Sequence, residues 1–294
     1  MSARRTGRDG VGPSSVWLPE GPWTTVLEFL VERFPGIGAG TWTARMAKGD
    51  VVDDQGTRLP PDAPYRGGIR LYYYREVEAE PAIPFEEAVL YRDEHLLVVD
   101  KPHFLPVVPA GRFLRETLLA RLKRKLGLDF LAPVHRIDRE TAGLVLFSTR
   151  PETRAAYHAL FERREVRKTY HALAAWRPEL AFPIVRRSRL VEGEPFFRMR
   201  ETDGEPNTET RMEVLEVRGS LALYRLAPVT GRKHQLRVHM AALGIPVLND
   251  RLYPRLLPDR GDDHSKPLKL LAISIAFIDP LTQAARQFES RRLL

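Results

Sequence analysis

The chain has 294 residues, 43% hydrophobic and 29% charged, which excludes a disordered chain and leaves room for one large core plus a small accessory domain. Lys and Arg number 46 against 38 Asp and Glu, a net charge of +8; this favours an anionic partner, although a merely basic soluble protein carries the same balance. The absence of cysteine excludes disulfides, a thiolate nucleophile and a cysteine-based zinc site, and suits a reducing, cytoplasmic setting.

In chain order, residues 1–16 read as a disordered basic tail, because MSARRTGRDGVGPSS is followed by no apolar segment of signal-peptide type. No apolar run approaches the roughly 20 residues that cross a bilayer, so no membrane is expected. Residues 17–77 read as a small α+β unit. TTVLEFLVERF offers Thr25 as N-cap with Glu28 completing a capping box, and Val26, Phe29, Leu30 and Phe34 share a helical face. TWTARMAKG predicts a second helix closing at Gly49, and VVDDQG and IRLYYYREV predict strands. This order, with "KGDV" after the second helix, loosely resembles an S4-type RNA-binding domain, which would make residues 17–77 a nucleic-acid module. Residues 78–84 read as a linker, since their prolines and acids neither continue a helix nor join a central strand.

A catalytic domain is expected over residues 85–294. VLYRDEHLLVVDKP predicts two strands, Val89 to Tyr91 and Leu96 to Val99. FLRETLLARLKRKLG predicts a helix on Leu114, Leu118, Leu122 and Leu126 that stops at Gly127. Its Arg115, Arg121, Lys123, Arg124 and Lys125 form either a solvated face or a phosphate-tracking one. VHRIDRETAGLVLF places a charged cluster before a wholly apolar strand, Leu144 to Phe147. TRPETRAAYHALFERREV predicts a helix capped by Thr149 with Glu152 in a capping box; KTYHALAAW predicts a strand, as do TRMEVLEV, SLALYRLAPV and LKLLAISIAFIDP. HQLRVHMAALG predicts a helix ending at Gly244. Many strands and few helices, with no βα repeat, give an α+β class with a mostly antiparallel sheet.

The sequence holds no dinucleotide-binding glycine fingerprint, Walker loop, HExxH or GxSxG. His234 and His239 lie five residues apart, which separates them on a helix and disfavours a shared metal. What remains is the carboxylate of "HRIDRET". Asp138 is either a turn aspartate paired with an arginine, or a nucleophile or base, whose ionised form a neighbouring guanidinium favours. Tyr170 stands two residues after Lys168, so one strand face carries a cation beside an aromatic ring, an arrangement suited to a nucleobase next to a phosphate. In "PVTGRKHQLRVHM", Arg232, Lys233 and His234 stand at a helix start where an anion is favoured. Leu236, Met240 and Leu243 form the buried stripe, and Arg237 beside it is either a surface residue or a cation reaching inward.

"HRIDRETAGLVLF", the "KTYHA" strand and "TGRKHQLRVHMAALGIPVLNDRLY" together resemble the RluA-type pseudouridine synthases; "VLYRDEHLLVVDKP" and "DPLT…FES" resemble the opening and close of their catalytic domain. The resemblance spans roughly residues 84–294. It implies the pseudouridine synthase fold, a mixed and mostly antiparallel sheet flanked by helices around a central RNA-binding cleft. It implies that Asp138 is the catalytic aspartate, that Tyr170 stacks on the target base and that Arg237 ion-pairs with Asp138. Leu270 would lie beside the uracil, and His135, Arg136, Lys168, Arg232 and Lys233 would hold neighbouring RNA. Two positions depart from the family pattern: Leu271 stands where His is frequent, and Asn249 where Gly is. The reaction implied needs no metal or cofactor and acts on a flipped uridine in structured RNA, ribosomal or transfer, with a cytoplasmic monomer expected. The alternatives are a catalytically idle RNA-binding or ribosome-assembly factor on the same scaffold, or a metal-dependent nuclease, which the lack of a second clustered carboxylate disfavours.

Overall fold

Thr25 closes the expected capping box: its side chain accepts from the Glu28 N–H while Glu28 reaches back to the Thr25 N–H. Helix α1 (Val26–Arg33) follows, burying Val26, Phe29 and Leu30, and α2 (Ala39–Ala47) buries Trp42 and Met46. Strands β1 (Ser14–Trp17), β2 (Val51–Val52) and β3 (Arg70–Tyr73) form an antiparallel sheet in the order β1-β3-β2. Trp42 meets Tyr73 edge to face with ring centroids 5.0 Å apart, in a core closed by Leu18, Leu30 and Leu71. The expected tail is thus corrected: residues 14–16 belong to a strand, because their backbone pairs with β3.

This computed structural model describes residues 10–75, 80–258, 261 and 263–294. Tail residues 1–9, linker residues 78 and 79, and the end of the strand expected up to Val77 lie outside the described residues. The chain divides into two compact units, one running to Glu80 and including Ala110–Arg115, the other formed by Pro81–Pro109 and Glu116–Leu294. Ala110–Arg115 therefore departs from the expected continuous domain. Glu80 accounts for this, accepting from the Leu114 and Arg115 N–H groups at 2.7 and 2.9 Å.

The second unit is built on an eleven-stranded sheet. Its strands are β4 (Ala88–Arg92), β5 (Leu96–Lys101), β6 (Ala132–Pro133), β7 (Ala142–Ser148), β8 (Arg167–Ala175), β9 (Ile184–Glu192), β10 (Met199–Thr202), β11 (Thr208–Arg218), β12 (Leu221–Pro228), β13 (Leu270–Ile278) and β14 (Ala285–Glu289). The order is β10-β9-β11-β12-β8-β13-β7-β5-β4, with β14 beside β13 and β6 beside β7. Among the described residues only β7 and β13 pair in parallel. The expected α+β class with a mostly antiparallel mixed sheet is borne out.

Every residue of β7 is buried, as its apolar run predicts. Helix α4 (Pro151–Glu162) covers this part of the sheet, with Tyr157 and Leu160 against Leu96, Leu144 and Leu146. Its N-cap is Arg150 rather than Thr149, and no capping box forms, because the Thr149 hydroxyl donates to the Glu94 carbonyl. Helix α3 (Leu118–Leu126) starts only after Thr117, whose side chain accepts from Ala120 N–H, and stops at the left-handed Gly127; Leu114 lies outside it. Its charged face is partly structural: Arg121 donates to the Ile83 and Phe85 carbonyls and pairs with Glu116, and Lys125 pairs with Glu86 and Glu87. Helix α5 (Gln235–Ala242) sets Leu236 and Met240 against Ala172, Tyr224 and Leu270.

No helix among the described residues is long and apolar enough to cross a membrane.

Candidate active site

The register of three neighbouring strands assembles the site. Leu271 of β13 pairs with Ala142 of β7 on one side and His171 of β8 on the other. The loop that enters β7 therefore lies beside Tyr170. Gly143 permits the approach: it sits at φ +109°, and a Cβ there would stand 2.2 Å from the Ala272 carbonyl oxygen. Asp138 lies on that loop, Tyr170 and Lys168 on β8, Leu270 at the start of β13 and Arg237 on α5. All five line one open pocket, together with Arg136, Arg232 and His234.

The backbone of the Asp138 loop is pinned from below. Lys101 is fully buried, and its ammonium donates to the carbonyls of Pro102, Leu105 and Arg139 at 2.9, 2.8 and 3.1 Å. Three acceptors match the three N–H bonds of an ammonium, although burial pushes Lys101 down to about 7 against the pull of Glu140 and Asp138. His103 Nδ1 lies 2.7 Å from the Glu140 carbonyl.

Arg237 is 2% exposed and so is no surface residue. Its Nε and Nη2 donate to Asp250 at 2.7 Å each, and Nη1 reaches Asp138 Oδ2 at 3.3 Å. Burial opposes the charge on Arg237, but the hydrogen bonds to Asp250 and the two carboxylates outweigh it and raise its pKa. Asp250 also accepts from the N–H groups of Leu252 and Tyr253. A second carboxylate thus exists near Asp138, with a guanidinium between the two. Among the described residues no cluster of acids or histidines suits a metal.

Tyr170 has its phenol pushed up, first by burial and then by Asp138, so it is protonated at neutral pH. His234 precedes α5 in the left-handed region at φ +54°; like Arg232 and Lys233, it lies just before the helix rather than in it. Its Nε2 stands 3.9 Å from Asp138 Oδ1 and its Nδ1 2.8 Å from the Tyr253 hydroxyl, while burial lowers its pKa. Lys168 lies 3.4 Å from the Thr230 carbonyl. Lys233 is exposed and reaches the Phe196 carbonyl.

His135 is not among the residues that line the pocket. Its ring stacks on Phe161 at 4.7 Å, its Nε2 accepts from Leu146 N–H, and burial pushes it down to about 3. Asn249 adopts φ +67°, a left-handed position that Gly or Asn fills with least strain; this accounts for its departure from glycine. Another cleft lies beside Asp93, Glu94 and Arg150, where Arg150 pairs with Glu94 and Asp93 accepts from Tyr91, His95 and Leu96.

Sequence reasoning missed Asp250, Lys101, His103 and Tyr253 as supports of the site, and named His234 only as part of an anion-favouring helix start. The isolated lysine ending the apolar run "LLVVDK" is the one signal that could have flagged a buried cation.

The family model described as RNA pseudouridylate synthase matches residues 95–242. An RNA pseudouridine synthase of Synechocystis sp. is 31% identical over 78% of this chain and 79% of its own length. The dual-specificity RNA pseudouridine synthase RluA of Pasteurella multocida is 33% identical over 71% of this chain and 94% of its own. The solved structure of human RNA pseudouridylate synthase domain containing 1 aligns with a TM-score of 0.58 at 22% identity, covering 73% of this chain and 86% of that one, a likeness of fold. With the family model covering Asp138, Tyr170 and Arg237, and these relatives at 31% and 33% identity, the chain belongs to the RNA pseudouridylate synthase family, of the RluA type.

Proposed function

We propose that Asp138, Tyr170 and Arg237 carry the isomerisation of uridine to pseudouridine in a structured ribosomal or transfer RNA. One observation carries the reading: Arg237 is held between Asp250 and Asp138 at the wall of a pocket that Tyr170 and Leu270 also line.

The reaction breaks the N1–C1′ bond, turns the uracil and forms C5–C1′, with the C5 proton exchanged for one on N1. Electrons balance within one nucleotide, so the chemistry calls for no redox partner. The site has to supply an ionised carboxylate at the sugar or base, and a surface that keeps the detached uracil in place while it turns. Asp138 is the carboxylate. Arg237 stabilises its charge in the pocket, and Asp250 fixes the direction of the guanidinium. Tyr170 and Leu270 bound the base, and the Tyr170 phenol enters the reaction protonated. Arg136, Lys168, Arg232 and Lys233 hold phosphates on either side of a flipped nucleotide.

The protein works as a cytoplasmic monomer in this proposal, with its first unit as an S4-like RNA-binding module. The absence of cysteine and the net charge of +8 support this setting and an anionic partner. Pseudouridine mapping of total RNA with and without the gene identifies the substrate. Purified Asp138→Asn should lose turnover by at least about a thousandfold, a loss expected for a general base or nucleophile, while RNA affinity is kept. Full activity of Asp138→Asn would refute the assignment, and unchanged maps would favour an idle RNA-binding factor.

A further inference from the structure

The connection between β9 and β10, Gly193–Arg198, presents Phe196 with 79% and Phe197 with 38% of its surface exposed. Their rings meet edge to face, with centroids 5.7 Å apart. Large aromatic side chains left in water beside unneutralised cations mark a binding surface.

This hairpin is held in one position. Arg198 N–H donates to the Pro195 carbonyl at 2.8 Å, and the Arg198 guanidinium donates to the Pro254 carbonyl at 2.9 Å while lying over the Tyr253 ring. Met199 N–H donates to the Tyr253 hydroxyl at 2.7 Å, and that hydroxyl is 2.8 Å from His234 Nδ1. His234 lines the pocket that contains Asp138. Met199, Leu190, Val238 and Tyr253 pack as one small core between the hairpin and α5. The aromatic tip is therefore tied, through one tyrosine and one histidine, to the wall of the active site.

Charge decides what the tip meets. Several arginines of this sheet are neutralised: Arg186 by Glu201, Arg187 by Glu209, Arg218 by Glu216 and Arg225 by Glu213. Around the hairpin and the pocket mouth, Arg136, Arg200, Arg232 and Lys233 are exposed and form no ion pair with a described carboxylate. Lys233 reaches the Phe196 carbonyl itself. Glu194 is the one acid on the connection. A polyanion with flat apolar groups matches this surface better than an apolar protein segment does.

Resting on the pseudouridine synthase reading, we propose that Phe196 and Phe197 stack an unpaired nucleobase of the substrate RNA that flanks the target uridine, and so select RNA whose neighbouring base is free to leave its helix. The phosphates beside that base lie on Lys233 and Arg200. The tip is a substrate-positioning element that takes no part in the bond exchange.

The test uses the full-length protein and a short RNA stem–loop carrying the mapped uridine, together with versions in which each flanking nucleotide is abasic. The Phe196→Ala/Phe197→Ala variant should raise KM roughly tenfold, the loss of about one stacked base, with kcat little changed. One abasic position should cost the wild type the same factor and cost the variant nothing more, and Phe196→Tyr should restore KM. The proposal is overturned if the abasic penalty is the same in both proteins, if KM does not move, or if the variant loses a protein partner in sedimentation instead. Should the wild type modify no RNA, the function reading fails separately; quenching of Phe196→Trp fluorescence by oligo(A), absent with the abasic phosphodiester, still supports the stacking site, and no difference between the two refutes it.

Discussion

Asp250 grips Arg237 through two hydrogen bonds of 2.7 Å and leaves it one guanidinium nitrogen, at 3.3 Å, for Asp138. Both partners of the gripping pair are almost wholly buried, with side chains 2% and 1% exposed. A fork held at both tines cannot turn, so the third nitrogen has a fixed aim. Asp250→Ala leaves a buried guanidinium with Asp138 as its remaining carboxylate, and should lose about 3–5 kcal/mol of stability, the range for breaking a buried pair from one side. Arg237→Lys retains the charge without the fork; its turnover should fall while its RNA affinity and salt dependence stay near those of the wild type. Chemical denaturation and single-turnover kinetics check the two.

Gly143→Ala tests how β7 meets β13. Its φ of +109° disfavours any side chain, and the added Cβ would fall 2.2 Å from a backbone carbonyl that belongs to a sheet ladder and cannot swing away. Strain and overpacking together should destabilise the protein by at least about 2 kcal/mol. Activity should fall with it, because the same pairing sets the Asp138 loop beside Tyr170. A melting temperature equal to that of the wild type would contradict this account.

Local signals carried well from sequence to structure. Thr25 and Glu28 cap α1 through bonds spanning three residues, and Gly127 and Gly244 follow their helices in left-handed conformations. The apolar run at Leu144 to Phe147 became the fully buried β7. Signals that depend on distant partners did not carry. Thr149 has the chemistry of a cap, but its hydroxyl is taken by a carbonyl 55 residues away. Strand β9 alternates partly buried and exposed positions over most of its length, so its arginine-rich sequence gave no apolar period to read. Asp250 stands in a polar turn sequence, and nothing local announces that α5 will bring Arg237 against it. Asp138, Tyr170 and Arg237 were named through family resemblance; the spacing of the residues alone left each with a plain structural alternative.

His239 makes stability fall in mild acid. It is fully buried, with Nε2 near the hydroxyls of Ser188 and Thr208 and Nδ1 3.0 Å from that of Thr210. Burial pushes its pKa from 6.5 down to about 4, with Glu201 opposing and Arg186 assisting. Between those values the unfolded chain binds a proton that the folded chain refuses, so stability drops as pH falls from about 6.5 to about 4 and is unaffected by this group above 6.5. His239→Gln should flatten the denaturation free energy across that window by about 3 kcal/mol, whatever its effect at pH 7. Parallel curves for the two proteins would exclude the assignment.

Tyr170→Leu separates holding the base from binding the RNA. The ring belongs to β8, whose backbone is paired on both sides with β12 and β13, so truncating the side chain leaves the strand in place. Affinity for the RNA is spread over phosphate contacts that this substitution does not touch. In the proposed reaction the uracil has no covalent tether between cleavage of N1–C1′ and formation of C5–C1′, and the Tyr170 ring is the surface assigned to keep it in the pocket. The variant should therefore bind substrate RNA within about threefold of the wild type, since the ring contributes one stacking contact among many, and should lose turnover by at least about a hundredfold. Filter binding and single-turnover pseudouridine formation read the two quantities separately, and an equal fall in both would show that Tyr170 serves binding alone.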